Sequence, residues 1–173
     1  MKLKLENEFS ELDLLFKKAD DQLESGNLRS AFRLFMSGAK RNDSGAQHML
    51  GYCYRRGIGV KPNREAALKW YKKAFSHGKS ISAINIGIIY RDENNTRQAL
   101  KWFQKAVDLD DDEANLEIAK ILIKKCESAK ALFHLKKIIA ADRNYVTEAS
   151  ICEAQHLIKE LENKKSESSK PPK

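Results

Sequence analysis

AQHMLGYCYRRGIGVKPNREAALKWYKKAFSHG, residues 46–78, reads as two amphipathic helices joined by a glycine-containing turn. In its first half Ala46, Leu50, Cys53 and Tyr54 recur at helical spacing on one face, while His48, Tyr52, Arg55 and Arg56 recur on another. Gly51 sits inside this helix, where it costs about 1 kcal/mol against alanine; close approach of a second helix is the compensation to expect. Gly57-Ile-Gly59 ends the helix, because glycine enters the left-handed region cheaply. Lys61 before Pro62 is pushed to extended conformations, and Asn63 is a suitable N-cap for the second helix. Ala66, Ala67, Trp70, Tyr71 and Ala74 form the stripe of that helix, which Gly78 closes. One such hairpin cannot bury both stripes alone.

Outward from this stretch the small residues recur. Ala19, Gly51, Gly87 and Ala119 are spaced by 32, 36 and 32 residues, and Ala31, Ala67, Ala99 and Ala131 by 36, 32 and 32. The two ladders run 12 residues apart except in the second unit, where 16 separate Gly51 from Ala67, so that unit's turn is four residues longer. Ala67-Leu-Lys-Trp-Tyr and Ala99-Leu-Lys-Trp-Phe align in register. This recurrence of helix-turn-helix units predicts an all-α fold, an α-solenoid of stacked antiparallel hairpins.

The run Leu50-Gly51-x-x-Tyr54-x-x-Gly57-x-Gly59-Val60, followed by Ala67-x-x-Trp70-Tyr71-x-x-Ala74-x-x-x-Gly78, resembles a Sel-one-like repeat, a relative of the tetratricopeptide repeat with a longer turn inside the hairpin. The other units lack the Gly-x-Gly turn and look more like the shorter tetratricopeptide form. The resemblance covers residues 12–145. It implies a right-handed superhelix whose first helices line a concave face that holds proteins or peptides.

In order along the chain, residues 1–8 read as an N-terminal extension and 9–161 as the repeat domain, with units near 12–43, 44–79, 80–111 and 112–145 and a capping helix over 146–161. Phe9, Leu12, Leu15, Phe16, Ala19 and Leu23 make the first stripe. Residues 80–90 are apolar on nearly every face, which places that helix centrally or leaves an apolar groove. Asp110, Asp111 and Asp112 are carboxylates suited to capping the helix after them. Residues 162–173 lack apolar side chains apart from prolines and read as a disordered tail. Nothing approaches the roughly 18 apolar residues of a membrane span, and the N-terminus lacks a signal-peptide core. Cys53, Cys126 and Cys152 are odd in number and unpaired in spacing, which suits reduced thiols and a cytoplasmic protein; that the protein is bacterial is what the resemblance implies.

The formal charge of +8 is uneven. Residues 1–43 and 110–173 are each balanced, while 44–78 carry +6 and 79–109 carry +2. A solvated lysine-rich face, an acidic protein partner and nucleic acid all account for that excess. From the resemblance, the groove-lining positions are Tyr52, Arg55 and Arg56 with His48 in the second unit, Ile84, Ile88 and Arg91 with Asn85 in the third, and Lys120, Ile123 and Lys124 with Leu116 in the fourth. Tyrosine and arginine are enriched at binding hot spots.

No catalytic constellation competes with this reading. Cys152 and His156 lie at i and i+4 but lack further ligands for a metal. His48 and Cys53 fall on different faces, the wrong arrangement for a nucleophile and its base. Gly57-Ile-Gly59 lacks the third glycine and preceding strand of a dinucleotide site. Trp70, Tyr71, Trp102 and Phe103 repeat in register, as packing residues do. The expectation is a non-enzymatic adaptor, scaffold or inhibitor without a cofactor. Its partner is a protein with an acidic surface; the alternatives are an immunity protein against a bacterial toxin, which the resemblance implies, and an RNA- or DNA-binding repeat protein, which the basic units suggest. The lysine-rich tail has no apolar anchor for a membrane.

Overall fold

The computed structural model describes residues 11–141 and 146–168. The extension 1–8, Phe9, residues 142–145 of the fourth repeat and 169–173 of the tail lie outside the described residues. Among those described there are nine α-helices and no strand: α1 (Glu11–Glu24), α2 (Leu28–Lys40), α3 (Ser44–Arg56), α4 (Arg64–Ser76), α5 (Ile81–Asp92), α6 (Thr96–Val107), α7 (Ala114–Lys124), α8 (Ser128–Ala140) and α9 (Glu148–Ser168). Odd and even helices pair as hairpins. The chain divides into two compact units, Met1–Ser82 and Ala83–Lys173, with the division in the first turn of α5.

In the first unit the core is built from Ala19, Ala31, Phe35, Ala39, Ala46, Leu50 and Cys53, all fully buried, so the small-residue ladder marks where helices touch. Gly51 explains the ladder physically. A Cβ there would stand 2.6 Å from the Tyr71 ring, so only a bare backbone lets α4 lie against α3 with its tyrosine inserted. The long turn of the second hairpin has a comparable cause. Gly57 (φ +76°) and Gly59 (φ +68°) are both left-handed, and a Cβ on Gly59 would collide with the Leu28 carbonyl. The four extra residues thus fold back over the start of α2. Asn63 Oδ1 then accepts the Ala66 N–H at 2.8 Å and starts α4.

In the second unit the same device recurs one repeat on, where a Cβ on Gly87 would stand 2.5 Å from the Phe103 ring. Ala83, Ile84, Ile86 and Ile89 of α5 are buried, as are Leu116, Ala119, Leu135, Ile138, Val146 and Ala154. The C-terminal ends of α1 to α7 share one pattern, a left-handed residue just past the helix. Asn42, Asn94, Asp110 and Cys126 take positive φ where other helices use glycine. At Cys126 (φ 59°) the Cys126 N–H donates to the Ile123 carbonyl at 3.0 Å and the Glu127 N–H to Leu122 at 2.9 Å, a Schellman closure.

Two expectations are corrected here. The N-cap position of α7 falls to Glu113 rather than to one of the three aspartates, and its side chain makes no capping bond there. Glu113 instead accepts the Thr147 N–H at 2.6 Å and the Ser150 hydroxyl at 2.5 Å, anchoring the start of α9, a helix 34 residues away in the chain. The second concerns the tail, since α9 continues through Ser168 rather than ending at 161. Extending a formed helix costs little, and Glu160, Glu162, Lys164 and Lys165 are good helix formers even without an apolar stripe. No described helix is long and apolar enough to cross a membrane.

Candidate functional site

In the first unit α3 carries four of the sequence-predicted site residues. Arg56 is exposed, while Tyr52, Arg55 and His48 are half-buried. The Arg55 guanidinium lies 5.7 Å from the centre of the Tyr52 ring, a cation–π pair on the helix surface. Its Nε is buried without a hydrogen-bond partner among the described residues, as is the hydroxyl of Tyr71. Burial pushes that hydroxyl up to about 12, against the opposing charge of Arg55. His48 is less available than its neighbours. Its Nδ1 is 2.9 Å from the Ser82 hydroxyl and its ring centre 5.3 Å from that of Tyr71. Burial, with Lys79 and Arg55 adding to it, lowers its pKa to about 4, so His48 is neutral near pH 7 and brings no charge to a ligand.

In the second unit Ile84 is buried at 7% exposure and belongs to the core, whereas Asn85 and Ile88 are half-buried. Arg91, Lys120 and Lys124 come together. They line one cleft of about 720 Å³, with Ile121, Ile123 and Leu157 as its apolar part. Two of these cations are compensated. Glu117, with its side chain only 15% exposed, bonds Arg91 and lies 3.4 Å from Lys120, which also pairs with Glu153 at 2.9 Å; Arg91 reaches Asp92 at 3.0 Å. Lys124 is exposed at the rim with no ion pair among the described residues.

Sequence reasoning missed Glu117 and Glu153. Glu117 was within reach, since it precedes Lys120 by three residues on the same helix face. Glu153 gave no local signal, because its pairing depends on how α9 docks. Also missed were two fully buried amides. Gln47 donates to the Ala39 carbonyl at 3.4 Å and meets His77 Nδ1 at 2.9 Å, while Asn115 meets His134 Nδ1 at 2.8 Å and Asp112 at 2.9 Å. The two histidines thus satisfy buried polar groups. Cys53 is buried, which pushes its thiol up to about 11 and leaves it a poor nucleophile near neutral pH.

The Sel1 repeat family matches residues 44–79 and 84–111. Those two stretches are Sel1 repeats. The second of these lacks the Gly-x-Gly turn of the first, yet both keep the helical glycine with an aromatic ring against it, Gly51 with Tyr71 and Gly87 with Phe103. Among solved structures, the Sel1 repeat protein of Oxalobacter formigenes matches with a TM-score of 0.61 at 22% identity, over 75% of this chain and 57% of that one. A protective antigen of uropathogenic Escherichia coli displaying an SLR fold matches with a TM-score of 0.60 at 25% identity, over 73% and 30% of the two chains. The chain therefore spans about 57% and 30% of the lengths of these two proteins. No curated protein matches it. Sel1 repeats generally serve protein–protein interaction, on a scaffold that is typically non-catalytic.

Proposed function

We propose that this Sel1 repeat chain is a non-enzymatic adaptor that holds a partner protein against its first helices. The observation that carries the reading is the cleft of the second unit. Its apolar part, Ile121, Ile123 and Leu157, sits among charged groups, and two first helices, α5 and α7, both contribute to it. Apolar floors with polar rims are the usual anatomy of a protein contact. Glu117 holds Arg91 and Lys120 in place and neutralises much of their charge, so an acidic partner is recognised chiefly by Lys124 at the rim, while the floor supplies affinity. Tyr52, Arg55 and Arg56 of the first unit offer a second contact of the hot-spot residue types.

The test places a photo-crosslinking residue at Lys124 in the native host and identifies the adduct, which is then purified and titrated. Ile123→Asp, a charge in the floor, is expected to abolish binding, and Lys124→Glu to weaken it chiefly through the association rate. A partner captured from the exposed Gln104 of α6 but never from Lys124 would overturn the assignment.

A further inference from the structure

Charge in this chain is sorted by helix. The second helices of the four hairpins, α2, α4, α6 and α8, hold thirteen lysines and arginines against one acid, Glu65, whereas the first helices hold seven of each sign and α9 holds five acids against three lysines. The positive excess of the helices is therefore carried by the second helices alone. Within them the cations keep register with the buried alanine ladder. Arg33, Lys69 and Lys101 lie two residues beyond Ala31, Ala67 and Ala99; Lys73, Lys105 and Lys137 lie six beyond Ala67, Ala99 and Ala131. At about 100° per residue, both offsets point away from the core.

Several of these lysines also lie over aromatic rings. In the second unit Lys105 Nζ stands 4.1 Å from the centre of the Trp102 ring and Lys137 Nζ 5.2 Å from that of Phe133; in the first unit Lys73 Nζ stands 5.6 Å from Trp70. An aromatic ring orients an ammonium. Along α6, which has no acid, Arg97, Lys101 and Lys105 recur every four residues, a step of about 6 Å.

We infer that in each unit the second helices form a face for the phosphodiester backbone of nucleic acid, independent of the protein contact proposed for the first helices. A single-sign, evenly stepped array of mostly lysines contacts phosphates without reading bases. Among the described residues no large apolar side chain is exposed on α4 or α6, so the apolar centre of a protein hot spot or of a membrane-inserting face is missing there, whereas α2 exposes Leu28 and α8 exposes Phe133 and Ile139.

The full chain is titrated into fluorescently labelled poly(U) RNA and mixed-sequence duplex DNA, with binding followed by anisotropy from about 50 to 200 mM salt. Binding indifferent to sequence is expected, with log K falling linearly in log salt. Arg97→Gln with Lys101→Gln is expected to reduce that slope on RNA by about 1.4, from about 0.7 per lost contact. The charge-conserving pair Arg97→Lys with Lys101→Arg should retain the slope, and so should the first-helix pair Arg56→Gln with Lys124→Gln, all with unchanged circular dichroism. Absence of binding to either polymer at about 50 mM salt overturns the inference. So does an equal loss in the first-helix pair, or tighter binding to phosphatidylserine vesicles or polyglutamate than to nucleic acid.

Discussion

Replacing Gly87 by alanine tests the packing on which the repeat depends, because two opposite effects meet at one atom. Inside a helix alanine is favoured over glycine by about 1 kcal/mol, so an unencumbered Gly→Ala change stabilises. Here the added methyl would stand 2.5 Å, 2.6 Å and 2.9 Å from three ring carbons of Phe103. That ring is fully buried and has no free side to move toward. Overpacking of this kind costs about 1–3 kcal/mol and outweighs the propensity gain at most of that range. The expected net effect is a loss of up to about 2 kcal/mol, or up to several degrees in Tm at about 2–4 °C per kcal/mol for a chain of this size. Urea denaturation followed by circular dichroism measures it. Shrinking the opposing ring in the double variant Gly87→Ala/Phe103→Leu should recover part of the loss, since the two changes share one contact. If Gly87→Ala alone raises stability by about 1 kcal/mol, as an open helical glycine would, the wedge of α6 against α5 is refuted.

Cys126 occupies the left-handed C-terminal position of α7 at φ 59°, where an L-residue is strained by about 1–2 kcal/mol; Cys126→Gly should stabilise by roughly 1 kcal/mol and Cys126→Val should destabilise, as read by the same denaturation. Glu113→Ala should remove both anchors of α9 and cost about 1–2 kcal/mol, with faster amide exchange confined first to the start of that helix. His48 titrates lower in the fold, at about 4, than in the unfolded chain, at about 6.5, so between these values the unfolded state binds more protons. Its contribution is present above about pH 6.5 and is lost as the pH falls toward about 4, up to about 3 kcal/mol at roughly 1.4 kcal/mol per unit. Denaturation from neutral to acid pH should show a shallower decline in His48→Gln than in the parent, and equal slopes would refute it.

The hairpins were legible because helix contact leaves a mark on single residues. Gly51 and Gly87 are costly inside helices, and the rings of Tyr71 and Phe103 against them are the reason. The candidate site was legible only in part. Arg91, Lys120 and Lys124 share a cleft, but Ile84 sank into the core and His48 was neutralised by burial, outcomes set by neighbours on other helices. The helix-by-helix sorting of charge was present in the sequence all along. It stays hidden while residues are grouped by repeat, because each repeat contains both kinds of helix.

By itself, then, the amino-acid sequence determined the helix pattern, the repeat spacing and the turn chemistry, all of which arise from the preferences of residues a few positions apart. What only the tertiary structure decided was which charges meet between helices: Glu117 with Arg91, Glu153 with Lys120, and Glu113 with the start of α9. The physical reason is distance. Pairing depends on a few ångströms in space between residues some 26 to 37 positions apart in the chain, and no local preference encodes that separation.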